Sequence, residues 1–291
     1  MNFSVTLKQR DTIHAGGAMD TKSVYSTEEA QAAKQLYDAY STVHSETKLA
    51  SILSSILNGA VADFTPAKSA RDAINQIVLR YYPNEATIKA NFINRELLPL
   101  NPKNISIFEL PIGKSRVDIC KVNGHSAAYE IKTELDTFYR LEGQLADYFD
   151  VFETVYVVVS ETRVNELPAY VPEACGIYTY RQEDIDGSYV FHVYRKAIKR
   201  HDLDPVKQLS AMPKKDLCRL FGLDGKGVTK TALIQQCVDA YSPKWINTQF
   251  KRYLKQRYGA YWSRFRENCS DMYEIDYEWF YRSRLEPSLI Y

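Results

Sequence analysis

The spacing of apolar residues predicts helices in the first part of the chain, after a tail that shows no periodicity. From about Glu28 to Asn58 the apolar residues recur at helical spacing. Thr65-Pro66 is typical of an N-cap followed by proline at the first helical position, and Asn84 is expected to cap a further helix from Glu85 to Leu98. We therefore expect residues 1–64 to form a helical N-terminal region with a loose tail.

After Pro102 the apolar pattern changes to that of short β-strands. Three strands are predicted in succession, at Ile105 to Leu110, Arg116 to Val122 and Ala127 to Lys132. Thr133 and Asp136 have the spacing of a capping-box variant, which predicts that a helix begins there.

The continuation of the chain predicts a sheet that is covered by helices. Thr154 to Ser160 is continuously apolar, as in a strand buried on both faces, so the preceding strand and helix complete a βαβ unit. Two more strands are expected at Gly176 to Tyr180 and Tyr189 to Tyr194. Residues 65–198 are thus predicted to form an α/β core, a mixed sheet flanked by helices.

The nearly neutral charge of the chain, +1 in total, hides two blocks of opposite sign. Arg195 to Arg266 holds 17 Lys and Arg against five Asp and Glu, a net charge of +12, so the rest of the chain carries −11. Residues 199–291 are therefore predicted to be a basic helical C-terminal region. A basic block of this kind can bind phosphates whatever the total charge.

Composition and cysteine usage narrow the class of protein. A chain with 45% hydrophobic and 25% charged residues is typical of a globular protein. Its five cysteines are scattered, without a CxxC pair, which argues against a zinc site or a disulfide framework. Residues 1–10 lack the apolar stretch of a signal peptide, and Val155–Val159 is too short to span a bilayer. We expect a cytoplasmic protein without a membrane partner.

Three charged residues in the predicted strands indicate a metal site. Glu130 and Lys132 are two residues apart on one strand and so point to the same face, and Asp118 lies on the preceding strand. Two carboxylates provide the hard oxygen ligands that Mg²⁺ prefers. A bound metal polarises a phosphate and activates water, while the neighbouring ammonium orients that water or stabilises developing charge.

This site imposes a condition on the turn between the two strands. Asp118 shares a face with Glu130 only if the numbers of paired residues add to an even number. A regular two-residue turn at Asn123-Gly124 gives an odd sum, so the hairpin needs an odd-length loop or a bulge. Gly124 suits the left-handed position of such a loop.

These residues resemble the core of the PD-(D/E)xK nuclease superfamily. Asp118 is followed by Glu130-Ile131-Lys132, and the next predicted helix carries Gln144-Leu-Ala-Asp-Tyr148, which is similar to the QxxxY motif of RecB-like members. The stretch from about Glu85 to Tyr180 also resembles a family of uncharacterised bacterial and phage proteins. The resemblance covers about a third of the chain, and it implies a restriction-endonuclease-like sheet between helical terminal regions.

The resemblance assigns roles to individual residues. It implies that Asp118 and Glu130 ligate Mg²⁺ or Mn²⁺, with the carbonyl of Ile131 as a further ligand, and that Lys132 is the catalytic lysine. Gln144 and Tyr148, one helical turn apart, are implied to face the site and the nucleic-acid backbone.

One position in this assignment requires a choice between residues, and another departs from the family pattern. The superfamily also has an upstream acidic residue, for which we select Glu109 and keep Glu85 and Glu96 as alternatives. Val117 stands where the family motif has proline.

Several cations are candidates for binding nucleic acid. Arg116 is expected to contact phosphate or to pair with Glu109, and Arg140 to contact phosphate or to pair with Asp136. Met212 to Tyr241 reads as a helical hairpin that is similar to SAP-type DNA-binding modules. Trp245 to Arg266 interleaves aromatic residues with cations, and its candidate phosphate ligands are Lys251, Arg252, Lys255 and Arg257.

The aromatic residues of that last segment have two open interpretations. They either stack on bases or pack inward on the core.

The sequence therefore predicts a Mg²⁺-dependent nuclease, an endo- or exodeoxyribonuclease that acts on DNA, with RNA left open. The alternative is a catalytically inactive protein of the same fold that binds nucleic acid or serves in regulation or phage defence.

Overall fold

The computed structural model describes residues 27–57, 67–183 and 187–291. Residue contacts divide the chain into two compact units. Unit 1 comprises Met1–Asn91, Gln182–Tyr189 and Glu267–Tyr291, and unit 2 comprises Phe92–Arg181 and Val190–Arg266. Each unit draws on separate parts of the chain, so the units do not follow the predicted boundaries at 64/65 and 198/199, which stay a prediction.

Helices occur at both ends of the described chain and between the strands. They are α1 (Glu28–Ala39), α2 (Glu46–Leu57), α3 (Ala70–Tyr81), α4 (Glu85–Phe92), α5 (Leu141–Phe149), α6 (Pro205–Ser210), α7 (Lys214–Phe221), α8 (Lys230–Ala240), α9 (Pro243–Asn268) and α10 (Tyr277–Ser283). Among the described residues, none of these helices is long and apolar enough to cross a membrane.

Six strands form one sheet in chain order. They are β1 (Ile105–Ile112), β2 (Ser115–Asn123), β3 (His125–Lys132), β4 (Thr154–Ser160), β5 (Gly176–Gln182) and β6 (Tyr189–Arg195). The first three strands are antiparallel, whereas β3, β4 and β5 run parallel. The predicted α/β fold, a mixed sheet flanked by helices, is confirmed.

The core of unit 1 is built from α1, α2 and α3. Their inward positions recur at helical spacing and are occupied by small and aliphatic side chains: Ala33, Leu36, Leu49, Leu53, Ala70, Ala73, Ile74, Ile77 and Val78. Ser69 caps α3 by accepting a hydrogen bond from the Asp72 amide at 3.1 Å. The cap predicted at Thr65-Pro66 lies outside the described residues.

The predicted cap at Asn84 is confirmed, because its Oδ1 accepts from the Thr87 amide at 2.9 Å. The helix that follows ends its α-helical part at Phe92 and continues as a π-helical turn over Ile93–Leu97.

The helix predicted to begin at Thr133 begins instead at Leu141, so that prediction is wrong. Asp136 Oδ2 accepts hydrogen bonds from the amide of Thr133 at 2.8 Å and from its hydroxyl at 2.9 Å. The two side chains thus satisfy a turn rather than a helix start. Leu135, in this turn, is 47% exposed.

The hairpin between β2 and β3 meets the condition derived from the sequence. Asn123 pairs with His125 and Val122 with Ser126, so paired residue numbers add to an even number. Gly124 forms the loop between them with φ of 68°, in the left-handed region. Both the odd loop and the left-handed glycine are confirmed.

Candidate active site

Three carboxylates form a row across the first three strands, here called the carboxylate row: Glu109, Asp118 and Glu130. Phe108 pairs with Ile119 and Leu110 with Val117, which places Glu109 opposite Asp118. The register of β2 and β3, continued by one residue from the Ile119–Tyr129 pair, sets Asp118 opposite Glu130. Register alone therefore brings three residues that are distant in sequence to neighbouring positions.

The backbone at Glu109 is in a conformation that L-amino acids avoid. Its φ is 57°, and the β1–β2 pairing is interrupted at this residue. A non-glycine residue in this region carries a cost of roughly 1–2 kcal/mol. Strain of this kind concentrates at functional sites, where it fixes the direction of a side chain.

The other two members of the row are buried and hydrogen-bonded. Asp118 is 8% exposed, and its Oδ2 accepts from the amide of Ile131 at 2.6 Å. Glu130 is 1% exposed, and its Oε1 accepts from Lys132 Nζ at 2.7 Å. A lysine two residues along the strand therefore neutralises the most buried carboxylate.

Helix α5 contributes Tyr148 to the same site. Its hydroxyl lies 2.8 Å from Glu130 Oε2 and 2.8 Å from the carbonyl oxygen of Arg116, so its single proton is shared between two acceptors. The neighbouring Asp147 accepts from the Ser115 hydroxyl at 2.7 Å. These bonds fasten α5 to β2 and β3.

The electrostatics of the site follow from this arrangement. Burial alone lowers the pKa of Lys132, but the charge and hydrogen bond of Glu130, together with Asp118 and Asp136, outweigh it and raise that pKa above its ordinary value. Burial, and next the charge of Glu130, raise the pKa of Tyr148 well above the usual range. Lys132 is therefore a cation and Tyr148 a neutral donor at neutral pH.

Gln144 and Arg140 extend the site along α5. They lie one and two helical turns before Tyr148, on the same face. The Oε1 atom of Gln144 is buried and has no hydrogen-bond partner among the described residues. Arg140 is exposed, and Asp136, its proposed alternative partner, accepts from Thr133 instead.

Arg116 pairs with Glu109 through its Nε, so the predicted ion pair is confirmed. The Arg116 side chain is nonetheless 62% exposed, whereas that of Glu109 is 7% exposed. The guanidinium therefore keeps an outward side, and its contact with phosphate stays a prediction.

The acidic residues differ in how well they suit a metal. A carboxylate oxygen of Glu109 and one of Asp118 lie within 4.8 Å of each other, close enough to share one cation. Glu130 is not part of this group, and its oxygens are bound by Lys132 and Tyr148, so its predicted role as a metal ligand stays a prediction. The role of the Ile131 carbonyl stays a prediction.

Of the two alternatives to Glu109, only Glu96 is directed away from Asp118 and Glu130. The charge of Glu96 acts on Lys121 and Tyr129, which point to the opposite face of the sheet from Asp118 and Glu130. Glu85 pairs with Lys89 at 2.8 Å in unit 1, and its role as the upstream acidic residue stays a prediction.

The predicted phosphate ligands of α9 fall into two groups. Lys251 Nζ donates to Glu153 Oε2 at 2.9 Å and to the Gly124 carbonyl oxygen at 2.8 Å, so it has intramolecular partners at the β2–β3 turn. Arg252, Lys255 and Arg257 are exposed. Arg257 lies 3.7 Å from Asp216.

The aromatic residues of α9 mostly pack inward. Phe250, Tyr253, Trp262 and Phe265 are at most 2% exposed. Phe250 contacts Phe152, and Trp262 contacts Phe108. Of the two interpretations, core packing therefore holds for these four side chains.

One residue near the site was missed by the sequence analysis. Arg163 Nη1 donates to the carbonyl oxygens of Thr133 and Asp136, both at 2.8 Å, and its guanidinium lies 4.2 Å from the ring centroid of Phe138. It holds the segment between Lys132 and α5. No local motif signals this role, because the partners are far away in sequence.

Comparison with known proteins gives a family but no activity. The family model described as Bacteriophage P4 protein cII matches residues 80–276. Protein cII of Enterobacteria phage P4 is 26% identical over 150 residues, which cover 50% of this chain and 55% of that protein. The match thus spans about half the length of this curated relative.

A solved structure gives a weaker likeness. A protein of unknown function from Silicibacter pomeroyi aligns with a TM-score of 0.31 and 17% identity, over 58% of this chain and 88% of its own. At this TM-score the likeness supports no inference.

Proposed function

The chain belongs to the bacteriophage P4 protein cII family, and we propose that it is a divalent-metal-dependent nuclease that hydrolyses phosphodiester bonds in DNA. The observation that carries this proposal is the carboxylate row with Lys132 beside it. Several kcal/mol are needed to bury an ionised side chain, even after the protein relaxes around it. Three acidic residues in register on one sheet face are best explained by a ligand that uses them.

Glu109 and Asp118 are the residues that would hold the metal. Their oxygens are close enough to share a cation, and hard carboxylate ligands suit Mg²⁺ or Mn²⁺. A bound divalent ion would polarise the phosphate and lower the pKa of a water ligand. The amide of Ile131 fixes the orientation of Asp118 through one oxygen.

Lys132 would orient the attacking water or stabilise the charge that develops on the phosphate. Its raised pKa keeps it protonated, and Glu130 holds its ammonium in place. Tyr148 fixes Glu130 from the other side. Glu130 thus serves to position Lys132 and Tyr148 in the described arrangement.

The nucleic-acid backbone would be held by cations outside the row. Arg116 and Arg140 flank the site, and Arg252, Lys255 and Arg257 are exposed on α9. Exposed cations that contact phosphates raise the affinity for DNA in a salt-dependent way.

The test is a cleavage assay on linear, nicked and single-stranded DNA with Mg²⁺, Mn²⁺ or EDTA. We expect cleavage that needs the metal and that falls at least about 100-fold in Asp118→Asn and in Lys132→Met. Glu142→Gln is the matched control, because Glu142 is an exposed acid on α5. Equal cleavage by all four proteins, or none by the wild type, would contradict the proposal.

A second candidate is a nucleic-acid-binding protein of the same fold without activity. It is favoured by the saturation of Glu130, whose two oxygens are already bound by Lys132 and Tyr148 without a metal. Binding of DNA that survives both Asp118→Asn and Lys132→Met, without cleavage by the wild type, would identify this function.

A further inference from the structure

Tyr139 is the most exposed large hydrophobic side chain among the described residues. It is 91% exposed, against 62% for Tyr194 and 47% for Val193. It lies in the segment 133–140, between the strand of Lys132 and the start of α5. Leu135 in the same segment is 47% exposed.

The segment that carries Tyr139 is held firmly. Arg163 donates to the carbonyl oxygens of Thr133 and Asp136, and Asp136 binds Thr133. Phe138, the neighbour of Tyr139, is 5% exposed and packs on Tyr170 with ring centroids 5.5 Å apart. These contacts hold the segment so that Tyr139 points outward. A side chain held in place loses less entropy when its ring binds a ligand.

Neighbouring residues connect Tyr139 with the candidate active site. Arg140 follows directly, is exposed, and its carbonyl accepts from the Gln144 amide at 3.0 Å. Arg140, Gln144 and Tyr148 form one line along α5, and eight residues of helix span about 12 Å. A DNA strand with one phosphate at the carboxylate row can thus place a neighbouring phosphate at Arg140 and a base at Tyr139.

We propose that Tyr139 is a stacking platform for a nucleobase of an unpaired strand, and that Arg140 binds the adjacent phosphate. Single-stranded DNA is then the preferred substrate class, since the faces of bases inside a duplex are covered by their neighbours. The inference rests on the proposed nuclease function and adds its substrate preference.

The test measures binding with Ca²⁺ in place of Mg²⁺, to prevent cutting, on oligothymidylate that carries one 2-aminopurine. Stacking on tyrosine quenches the fluorescence of 2-aminopurine. We expect Tyr139→Ala to bind about 5- to 100-fold more weakly and to lose the quenching. Tyr139→Phe keeps the ring and should keep both properties. Tyr194→Ala, another exposed tyrosine of unit 2, is the matched control and should behave as wild type. A blunt hairpin duplex should bind all four proteins alike.

The outcomes separate this inference from the function on which it rests. Binding and quenching that are unchanged in Tyr139→Ala overturn the platform and leave the nuclease proposal standing. An equal loss of duplex binding in Tyr139→Ala overturns the preference for unpaired strands. A wild type that neither binds nor cuts DNA overturns both proposals. Circular dichroism of each variant checks that it is folded.

Discussion

The carboxylate row and helix α9 carry most of the charged candidate residues of the sequence. Their charged side chains are largely buried in the row and largely exposed on α9. In the row, Asp118 and Glu130 are nearly inaccessible, and Glu130 contacts Lys132 and Tyr148 of the site. On α9, Arg252 and Lys255 are exposed. Burying a charged side chain costs desolvation free energy, whereas leaving it exposed to water does not.

This difference determines how strongly each region supports a functional interpretation. A buried charged cluster needs a reason, and metal chemistry supplies one. An exposed cation needs none, so the basic charge of α9 is weaker evidence for its partner. The sequence predicts Lys251 to be a phosphate ligand. In the structure, however, Lys251 lies at the β2–β3 turn and binds Glu153.

The largest effect is expected from breaking the Glu130–Lys132 pair. Lys132→Met leaves Glu130 as an uncompensated buried charge and should lower the free energy of unfolding by about 3–5 kcal/mol, as well as abolish cleavage. Glu130→Gln combined with Lys132→Met should recover much of the stability and none of the activity. Urea unfolding and the cleavage assay measure the two effects. Recovery of activity in the double variant would contradict the role of Lys132.

A smaller effect is expected on binding by α9. Arg252→Gln combined with Lys255→Gln should reduce the slope of log Kobs against log salt by about 2 if each side chain contacts one phosphate. Lys251→Met should leave the slope unchanged, because Glu153 and Gly124 already engage its ammonium. A titration of DNA binding at several salt concentrations gives the slopes, and the reverse ranking would overturn the division of α9 into two groups.

The strained backbone of Glu109 gives an effect of about 1 kcal/mol. Glu109→Gly and Glu109→Ala both remove the carboxylate, but only glycine tolerates φ of 57° without cost. The glycine variant should be more stable than the alanine variant by about 1 kcal/mol in urea unfolding. If alanine is the more stable, the strain is absent.

The smallest effect is the dependence of stability on pH through Glu153. Burial raises the pKa of this carboxyl, but hydrogen bonds from Lys251 and the Ser126 amide outweigh it and hold that pKa below 4.5. The resulting stability is present above 4.5 and is lost as pH falls through the lowered value. Lys251→Met should make this acid-side loss shallower, whereas Lys244→Met, on an exposed position of α9, should not. Identical acid-side curves for wild type and Lys251→Met would exclude the pair as their source.

The sequence predicted the sheet part of the site well because β-structure imposes a period of two. Asp118, Glu130 and Lys132 could be placed on one face from their spacing, and the parity condition then required the odd loop that Gly124 forms. Glu109 was selected as the upstream acidic residue, and register sets it opposite Asp118.

The helical part was harder to predict because local signals compete with tertiary contacts. Thr133 and Asp136 have capping-box spacing, yet they close a turn that Arg163 fixes from 27 to 30 residues away. The partners of Lys251 are about 100 residues or more distant in sequence. Contacts at such separations leave no pattern along the chain.

The most direct test of the account is a calorimetric titration of Mn²⁺ into the wild type, Asp118→Asn and Glu142→Gln. We predict a Mn²⁺ site in the wild type that is lost in Asp118→Asn and kept in Glu142→Gln, because Asp118 is a proposed ligand and Glu142 is an exposed acid on α5. Equal Mn²⁺ affinity in wild type and Asp118→Asn would contradict the claim that the carboxylate row is a metal site.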